Sequence, residues 1–413
     1  PGSAAGAGLR RTSFASPTSL PGRPLPAAGG PDVGPPPEKT FGTLKLWTGS
    51  WNLGAKDPFE SINISRNMDM VVRMMKNFVP SGYDVYVLGV QEGVNDSVFD
   101  AFAKYTGCFR LPLSSKLEPA RESSDKARVR NRGKAPPPAG SLADMLDRVW
   151  GRGDGAILSP KFTGIAVFVS EVAAPYVRLL GVYKHSFGAA EGSKGGVGVA
   201  LGMYDVTMAF INCHLASKKT PVRRQQYMDL VERLGAKLGG RGFQLNEEFH
   251  HVVWMGDMNY HNVGISASDA LAMIRQGQCR ELLLEYDELL QEREKNAVFY
   301  KYTEPTMSPT LFPTYKKHPF RGRVKMSDPD WVRRVYMTQY KEPFYKGGRT
   351  VDRVPSWTDR ILFHSLPSMG GRLDPELLDP DHPEASPANY QSVNQSLDVS
   401  DHSPVYCTWN LTI

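Results

Sequence analysis

The chain has 413 residues, 41% of them hydrophobic, and its 49 basic and 43 acidic residues give a formal net charge of +6. This length suits one large α/β domain or two ordinary ones, and so small a positive charge does not by itself indicate a nucleic-acid-binding protein. The four cysteines form no C-x-x-C pair, which argues against a disulfide framework or a structural zinc site and favours a reducing compartment. No apolar run approaches the roughly 20 residues that span a bilayer.

The first 40 residues are rich in Pro, Gly, Ala and Ser and have almost no apolar periodicity, so we expect a disordered tail there. The folded region is predicted to begin near Phe41, with a strand in "LKLWTGSWNLG". A helix follows, in which apolar residues recur at helical spacing, at Met70, Val71, Met74 and Met75. The next apolar run, "DVYVLGVQEG", predicts a buried strand.

Residues 112–153 are basic and then Pro-rich, as in "KARVRNRGKAPPPAG", and predict a long exposed insertion. Within this insertion, the run 126–134 contains five basic residues and no acidic residue. The five are Lys126, Arg128, Arg130, Arg132 and Lys134. Each such charge can contribute ~1 kcal/mol of attraction near an anionic bilayer. We predict that this run helps to dock the protein on acidic membranes; the alternative is a solvated loop.

The second half of the chain alternates strands and helices. Strands are predicted in "FTGIAVFVS", in the pair that turns at Tyr204-Asp205, in "HHVVWMGDMNYH", in "DRILFH" and in "VYCTWNL". Helices are predicted in "PVRRQQYMDLVERLGAKL", with Pro221 at its start, and over about 266–294, and a loop is predicted over about 365–398. Because tight turns join some of the strands, the sheets should be mixed rather than purely parallel.

Five strands are followed or preceded by polar residues that hydrophobic packing does not require. They are Asn52, Glu92, Asn212 with His214, Asp257 with Asn259, and Asp401 with His402. A polar residue at a strand end lies at the edge of a sheet, and the ends of several strands can meet at one site. Five such ends in one chain therefore predict a functional site.

The residue types at these strand ends indicate the chemistry of the site. Glu92, Asp257 and Asp401 supply hard carboxylate oxygens, which suit Mg²⁺, whereas zinc would require more His or Cys. The imidazoles of His214 and His402 can donate hydrogen bonds to a developing negative charge or transfer protons. A metal, a carboxylate that orients water and imidazoles together predict hydrolysis of a phosphate ester.

Eight motifs occur in order: "SWNLG", "GVQEG", "GSKGGVGV", "NCHLAS", "GDMNY", "PTYK", "PSWTDRIL" and "SDHSPV". Over about residues 42–411 the chain closely resembles the catalytic domain of the inositol polyphosphate 5-phosphatases, within the endonuclease/exonuclease/phosphatase superfamily. The resemblance implies a deoxyribonuclease-I-like α/β fold, a four-layer sandwich of two mixed β-sheets flanked by helices. It places this domain at 41–413, after the 1–40 tail.

The resemblance also implies roles for the residues that handle metal and water. Glu92 resembles the magnesium ligand, with Asn52 beside it, and Asp401 lies beside the metal shell. Asp257 resembles the residue that activates the attacking water. Asn259 resembles the amide that positions water and phosphate.

Residues that contact the scissile phosphate are implied in the same way. His402 resembles the imidazole on that phosphate, and His214 a second one. Asp359 resembles the carboxylate that hydrogen-bonds His402 and fixes its tautomer. Arg360 is expected to pair with nearby acids or with phosphate, and Trp357 to pack in the core.

Substrate selection is implied for other motifs. Lys194 lies in a Gly-rich turn that can approach a phosphate, and Tyr315 and Lys316 match residues that bind ring phosphates remote from the cleaved bond. The chain departs from the family at Ser193 and His261, where Asn and Arg are frequent. The stretch 317–352 matches poorly, although phosphate contacts could come from Lys346, Arg349 and Arg353.

The expected activity is magnesium-dependent removal of the 5-phosphate from phosphoinositides or soluble inositol polyphosphates, by a cytoplasmic enzyme that associates peripherally with acidic membranes and not with nucleic acid. One alternative is a phosphodiesterase of the same superfamily, an abasic-site endonuclease or a sphingomyelinase. A second is a catalytically inactive module that binds phosphoinositides. A cysteine phosphatase is excluded because no Cys has Arg six residues later.

Overall fold

The central strands of the two main sheets are buried on both faces. In β1 (Thr43–Asn52), Leu44 and Leu46 pack in one apolar cluster, whereas Trp47 and Trp51 pack in another on the opposite face. Such strands need apolar residues at nearly every position, which explains the continuous apolar runs. The computed structural model describes residues 42–60, 62–113, 116–117, 161–188, 193–239, 242–319, 324, 326–342, 344, 347–383, 386–394 and 399–413.

The first sheet contains eight strands. Besides β1 they are β2 (Val85–Gly93), β3 (Phe109–Arg110), β4 (Lys116–Leu117), β5 (Phe162–Val169), β13 (Leu373–Pro375), β14 (Tyr390–Ser392) and β15 (Val405–Thr412). Their order is β13-β15-β1-β2-β5-β3, with β14 paired to β15 and β4 to β5. β1 and β2 run parallel, and β15 and β5 run antiparallel to them.

The second sheet contains five strands. They are β6 (Val177–Ser186), β7 (Gly195–Met203), β8 (Val206–His214), β9 (His251–Asp257) and β12 (Asp359–Ser365). Their order is β12-β9-β8-β7-β6, in which only β8 and β9 run parallel. A separate hairpin pairs β10 (Gln339–Lys341) with β11 (Thr350–Asp352).

The α-helices of the described residues are α1 (Met68–Met75), α2 (Ser97–Thr106), α3 (Thr220–Leu238), α4 (Leu245–Glu248), α5 (Ala267–Arg275), α6 (Cys279–Tyr286), α7 (Glu288–Glu294) and α8 (Trp331–Val335). Of these, α1 and α2 cover the outer face of the first sheet, α3 and α4 that of the second, and the buried residues of α5, α6 and α8 pack in the cluster shared with both sheets. One apolar cluster lies between the sheets, a second joins α1 and α2 to the first sheet, and a third joins α3 to the second sheet. This layering confirms the predicted four-layer sandwich of two mixed sheets.

Strand direction explains why the predicted site residues meet at one edge. Asn52 and Glu92 end the parallel strands β1 and β2, and the antiparallel β15 begins at that edge, after His402. In the second sheet, His214 and Asp257 end the parallel strands β8 and β9, and the antiparallel strands β7 and β12 begin beside them. The polar ends of both sheets are therefore brought to the same side of the sandwich.

Several predicted elements are refined by the structure. The helical stretch at 266–294 is three helices, α5 to α7, and the expected loop at 365–398 contains β13 and β14. The sequence patterns did not predict α2, β6 or the β10–β11 hairpin. The tail at 1–40 and the basic run at 126–134 lie outside the described residues. Among the residues that are described, no helix has the length and apolarity to cross a bilayer.

Candidate active site

A buried hydrogen bond between Asn52 and Asp257 joins the ends of the two sheets. The Asn52 Nδ2 donates to Asp257 Oδ2 at 2.8 Å, and the backbone N–H of Asn259 donates to Asp257 Oδ1 at 3.0 Å. Gly256, just before Asp257, has φ +138°, and a β-carbon there would lie 2.0 Å from the Cys213 carbonyl oxygen. Only glycine therefore allows β9 to pass this close to β8 as it presents Asp257.

His402 and Asp359 form the hydrogen-bonded pair that the resemblance implied. The Nδ1 of His402 lies 2.9 Å from Asp359 Oδ2, which also accepts the hydroxyls of Thr314 at 2.7 Å and Thr358 at 2.9 Å. Because the carboxylate faces Nδ1, that nitrogen is assigned as the donor and Nε2 is left for a ligand. Asp359 lies directly opposite Asp257 in the β12–β9 pairing.

Charge in this pocket favours a protonated His402 and an ionised Asp257. Burial lowers the pKa of His402, but the negative charge and hydrogen bond of Asp359 outweigh burial and raise that pKa to about 9. Burial would raise the pKa of Asp257, but contact with His214 and the positive charge of His402 hold it well below its usual value. Ligand atoms of Asp257, Asp359 and His402 all lie within 4.8 Å of one another.

His214 lies between Lys194 and Asp257. Its Nε2 is 2.8 Å from Lys194 Nζ and 3.4 Å from Asp257 Oδ2, and one nitrogen cannot accept from the first and donate to the second. The Nδ1 of this ring is buried without a hydrogen-bond partner. Burial and the positive charge of Lys194 lower the pKa of His214.

Glu92 reaches this edge from a strained backbone position. Its φ is +52°, which is uncommon for a residue with a side chain, and its Oε2 lies 2.9 Å from Lys161 Nζ. Burial would raise the pKa of Glu92, but the charges of His214, Lys161 and Lys194 lower it. Glu92 is therefore an ionised carboxylate in cationic surroundings.

Asp401 and Lys316 form an ion pair at the rim of the site. The ammonium of Lys316 also lies 4.8 Å from the ring centroid of Tyr340, so the β10–β11 hairpin is in contact with the site. A β-carbon on Gly54, which has φ +56°, would lie 2.8 Å from Asp401 Oδ1. Glycine there lets the loop after β1 approach the Asp401 carboxylate closely.

Tyr315 covers the catalytic pair from one side. Its ring centroid lies 4.5 Å from that of His402 and 5.8 Å from that of His261. Burial lowers the pKa of His261 to about 4, so this ring is neutral where the family frequently has Arg. The Tyr315 pKa is raised by burial, with Arg353 acting in the opposite direction through a hydrogen bond.

Arg360 was expected to pair with nearby acids or with phosphate, and the structure pairs it with acids, away from the site, which corrects its assignment as a substrate-binding residue. Side chains alternate along β12, so Arg360 points away from the face that carries Asp359, and its guanidinium is fully buried. It pairs with Asp287 at 3.0 Å and, through Nε, with Glu304 at 2.7 Å. Its role is to anchor β12 through nearby acids. Trp357 packs in the core, as predicted, and its Nε1 donates to the Leu311 carbonyl oxygen at 3.0 Å.

The donors at this edge fit a hard divalent cation. Glu92 and Asp401 supply carboxylates and Asn52 a carboxamide oxygen, with no thiolate among these residues. The tight group of Asp257, Asp359 and His402 is less suitable as a cage, because His402 Nδ1 and Asp359 Oδ2 already bind each other. Glu92 and Asn52 remain the predicted magnesium ligands.

Three neighbours of the site were not predicted from sequence. Thr314 and Thr358 hold Asp359, and Lys161 holds Glu92. Thr358 lies inside the "PSWTDRIL" motif and could have been examined with it. Lys161 has no motif, and only the antiparallel pairing of β5 with β2 brings it to Glu92.

A family model described as "Endonuclease/Exonuclease/phosphatase family 2" matches residues 160–408. Phosphatidylinositol 3,4,5-trisphosphate 5-phosphatase 2 of Sus scrofa is 28% identical over 392 residues, and that of Homo sapiens 27% over 391, each alignment covering 90% of this chain. The chain spans 24% of the length of these relatives. The similarity to 5-phosphatases that the motifs indicated is confirmed.

Solved structures share the fold. The inositol polyphosphate 5-phosphatase domain of SPSynaptojanin, in complex with inositol (1,4)-bisphosphate and calcium ion, superposes with a TM-score of 0.56 at 22% identity, over 89% of this chain and 84% of that domain. A Cimex nitrophorin ferrous NO complex gives 0.50 at 16% identity, over 90% of this chain and 99% of the other. A fold shared by a phosphatase domain and a nitrophorin does not fix function, so function must be argued from the site.

Proposed function

The chain belongs to the endonuclease/exonuclease/phosphatase family, and on that premise we propose that it is a magnesium-dependent phosphatase that removes the 5-phosphate of phosphoinositides or of soluble inositol polyphosphates. The curated relatives are named as phosphatidylinositol 3,4,5-trisphosphate 5-phosphatases, and the fold neighbour holds an inositol bisphosphate. These names support the substrate class.

One geometric observation carries the proposal. An ionised Asp257, held by Asn52, lies within 4.8 Å of His402, which Asp359 keeps protonated. A carboxylate that can orient water therefore faces an imidazolium that can bind a phosphate oxygen. In-line hydrolysis of a monoester uses both functions, one to orient the attacking water and one to stabilise negative charge on the phosphoryl oxygens.

We assign the reaction as follows. Asp257 orients a water molecule for in-line attack on phosphorus and accepts its proton as the P–O bond to the inositol ring breaks, and the departing ring oxygen takes a proton from solvent to leave as a hydroxyl. His402 Nε2 donates a hydrogen bond to a phosphoryl oxygen, where negative charge accumulates, and His214, whose Nε2 lies beside Asp257 and Lys194, is the proposed second imidazole on the phosphate. Glu92 and Asn52 would hold Mg²⁺, which when bound neutralises phosphate charge.

The substrate phosphates that are not cleaved are bound by cationic side chains at the rim of the active site. Lys194 is anchored by the Leu215 carbonyl oxygen at 2.8 Å, which aims its ammonium at the pocket rather than at bulk water. Lys316 is held between Asp401 and Tyr340, and the Tyr315 ring packs at a tilt against His402. Side chains that are held in place in this way lose little entropy on binding an anion.

We also propose that the protein works in the cytoplasm, peripherally bound at acidic membranes. All four cysteines are free, as a reducing compartment allows. The basic run at 126–134 is the proposed contact with acidic lipid headgroups.

The test measures phosphate release from inositol 1,4,5-trisphosphate and from phosphoinositide vesicles, and strand cleavage of abasic duplex DNA, each with Mg²⁺ or with chelator. We expect release from the inositol substrates that chelator abolishes and that Asp257→Asn abolishes, with the exposed Asp374→Asn as the matched control. Cleavage of abasic DNA alone would favour the phosphodiesterase. Binding of the headgroup without turnover would favour the inactive module.

A further inference from the structure

Lys161 occupies one oxygen of the carboxylate that is expected to hold the metal. Its ammonium lies 2.9 Å from Glu92 Oε2, and the exposed fractions of the two side chains are 32% and 27%. Both groups are thus half-buried at the active-site edge. Neither the reaction assigned above nor the motifs of the family resemblance give Lys161 a role.

Strand pairing fixes this position. Phe162, the first residue of β5, pairs with Gly93, the last residue of β2, so the backbone delivers Lys161 beside Glu92. The contact of Gly93 with the Phe162 ring is close, because a β-carbon on Gly93 would lie 2.6 Å from it. The position of Lys161 therefore follows from sheet register and packing and not only from the reach of a long side chain.

An ammonium and a divalent cation cannot both bind the same carboxylate oxygen without strong repulsion. We propose that Lys161 competes with the divalent cation for Glu92 and so weakens metal binding at this site. This inference rests on the proposed function, because it takes Glu92 as a metal ligand. Lys161 is a residue that tunes metal affinity through Glu92 and does not itself act on the substrate.

The test is direct titration of the whole chain with Mg²⁺, without substrate, by isothermal titration calorimetry. Lys161→Met removes the charge and keeps most of the side-chain length, and Lys161→Arg keeps the charge. Lys116→Met is the matched control, because Lys116 lies on the same sheet edge, is 29% exposed, contacts the Phe162 ring and pairs with Asp96 instead of Glu92. Glu92→Gln combined with Lys161→Met tests whether any gain passes through Glu92.

We expect Lys161→Met to lower the Kd for Mg²⁺ at least about fivefold, and Lys161→Arg and Lys116→Met to change it less than about twofold. In the presence of Glu92→Gln, Lys161→Met should no longer lower the Kd for Mg²⁺. An unchanged or weaker affinity in Lys161→Met, or an equal gain in Lys116→Met, overturns the inference. Lys161→Gln gives a second reading if the Met variant folds poorly by circular dichroism.

The result of the Mg²⁺ titration can be distinguished from the result of the activity assay that tests the proposed function. Phosphate release by the wild-type chain at saturating Mg²⁺ tests the activity whatever the effect of Lys161. If the wild-type chain releases phosphate and Lys161→Met binds Mg²⁺ no more tightly, only the inference about Lys161 fails. If neither chain binds Mg²⁺ and no phosphate is released, both fail.

Discussion

Asp359 Oδ2 accepts three donors at once: the Nδ1 of His402 at 2.9 Å and the hydroxyls of Thr314 and Thr358. This carboxylate lies fully buried at the start of β12. It thus fixes the tautomer and the orientation of the imidazole without reaching the phosphate itself.

Asp359→Asn should therefore lower kcat more than about 10-fold and leave KM nearly unchanged, because it disturbs His402 and not the binding lysines. Steady-state kinetics on a soluble inositol phosphate measure both constants. The exposed Asp374→Asn is the control. A normal kcat in Asp359→Asn would remove Asp359 from the mechanism.

The raised pKa of His402 predicts an alkaline limit to both activity and stability. A pKa raised from 6.5 to about 9 by folding stabilises the protein fully below pH 6.5, and this contribution is lost as the pH rises through 9. We expect kcat/KM to fall above pH 9 and the urea midpoint to fall between pH 6.5 and 9. In Asp359→Asn the alkaline limb of kcat/KM should move to lower pH, and a limb that does not move would contradict the role of Asp359.

Lys316 should affect binding more than turnover. Lys316→Met removes a cation held between Asp401 and Tyr340 at the rim, so KM should rise about 10-fold for substrates with phosphates besides the cleaved one. Lys218→Met, at a side chain 75% exposed and 3.8 Å from Glu342, should leave KM unchanged. Equal KM values for both variants would show that Lys316 does not bind substrate.

Arg360 should affect stability. Arg360→Met leaves the buried Asp287 without its cation and leaves Glu304 with Arg293, at 3.8 Å, as its cation, so the free energy of unfolding should fall by about 3–5 kcal/mol. Arg372→Met breaks the partly exposed pair with Asp205 and should cost no more than about 1 kcal/mol. Urea denaturation compares the two, and equal losses would refute the anchoring role of Arg360.

Sequence patterns predicted mixed sheets and the convergence of the site because the chemistry lies at strand ends, whereas the four-layer sandwich was implied by the family resemblance. Four site residues each end an apolar run: Asn52, Glu92, His214 and Asp257. The direction of the strands then brings these ends to the same edge. The helix α1 was predicted for the same kind of reason, since its buried residues Val71 and Met75 follow helical spacing.

The details that the sequence did not predict depend on contacts between distant segments. Asp359 and Arg360 are adjacent in sequence but face opposite sides of β12, so one serves the site and the other the core. The partner of Lys161 is 69 residues away and is set by strand pairing. The strand β6 was missed because nine of its ten residues are exposed or partly exposed, and its polar and apolar residues do not alternate strictly.

The central claim is that both sheets deliver their polar ends to one phosphate. The measurement that tests it most directly is ³¹P NMR of inositol 1,4,5-trisphosphate during turnover, for the wild-type chain, Asp257→Asn and His402→Ala. We predict magnesium-dependent loss of the 5-phosphate resonance alone by the wild-type chain, and none by either variant. Loss of a different phosphate, or undiminished turnover in both variants, would contradict the account.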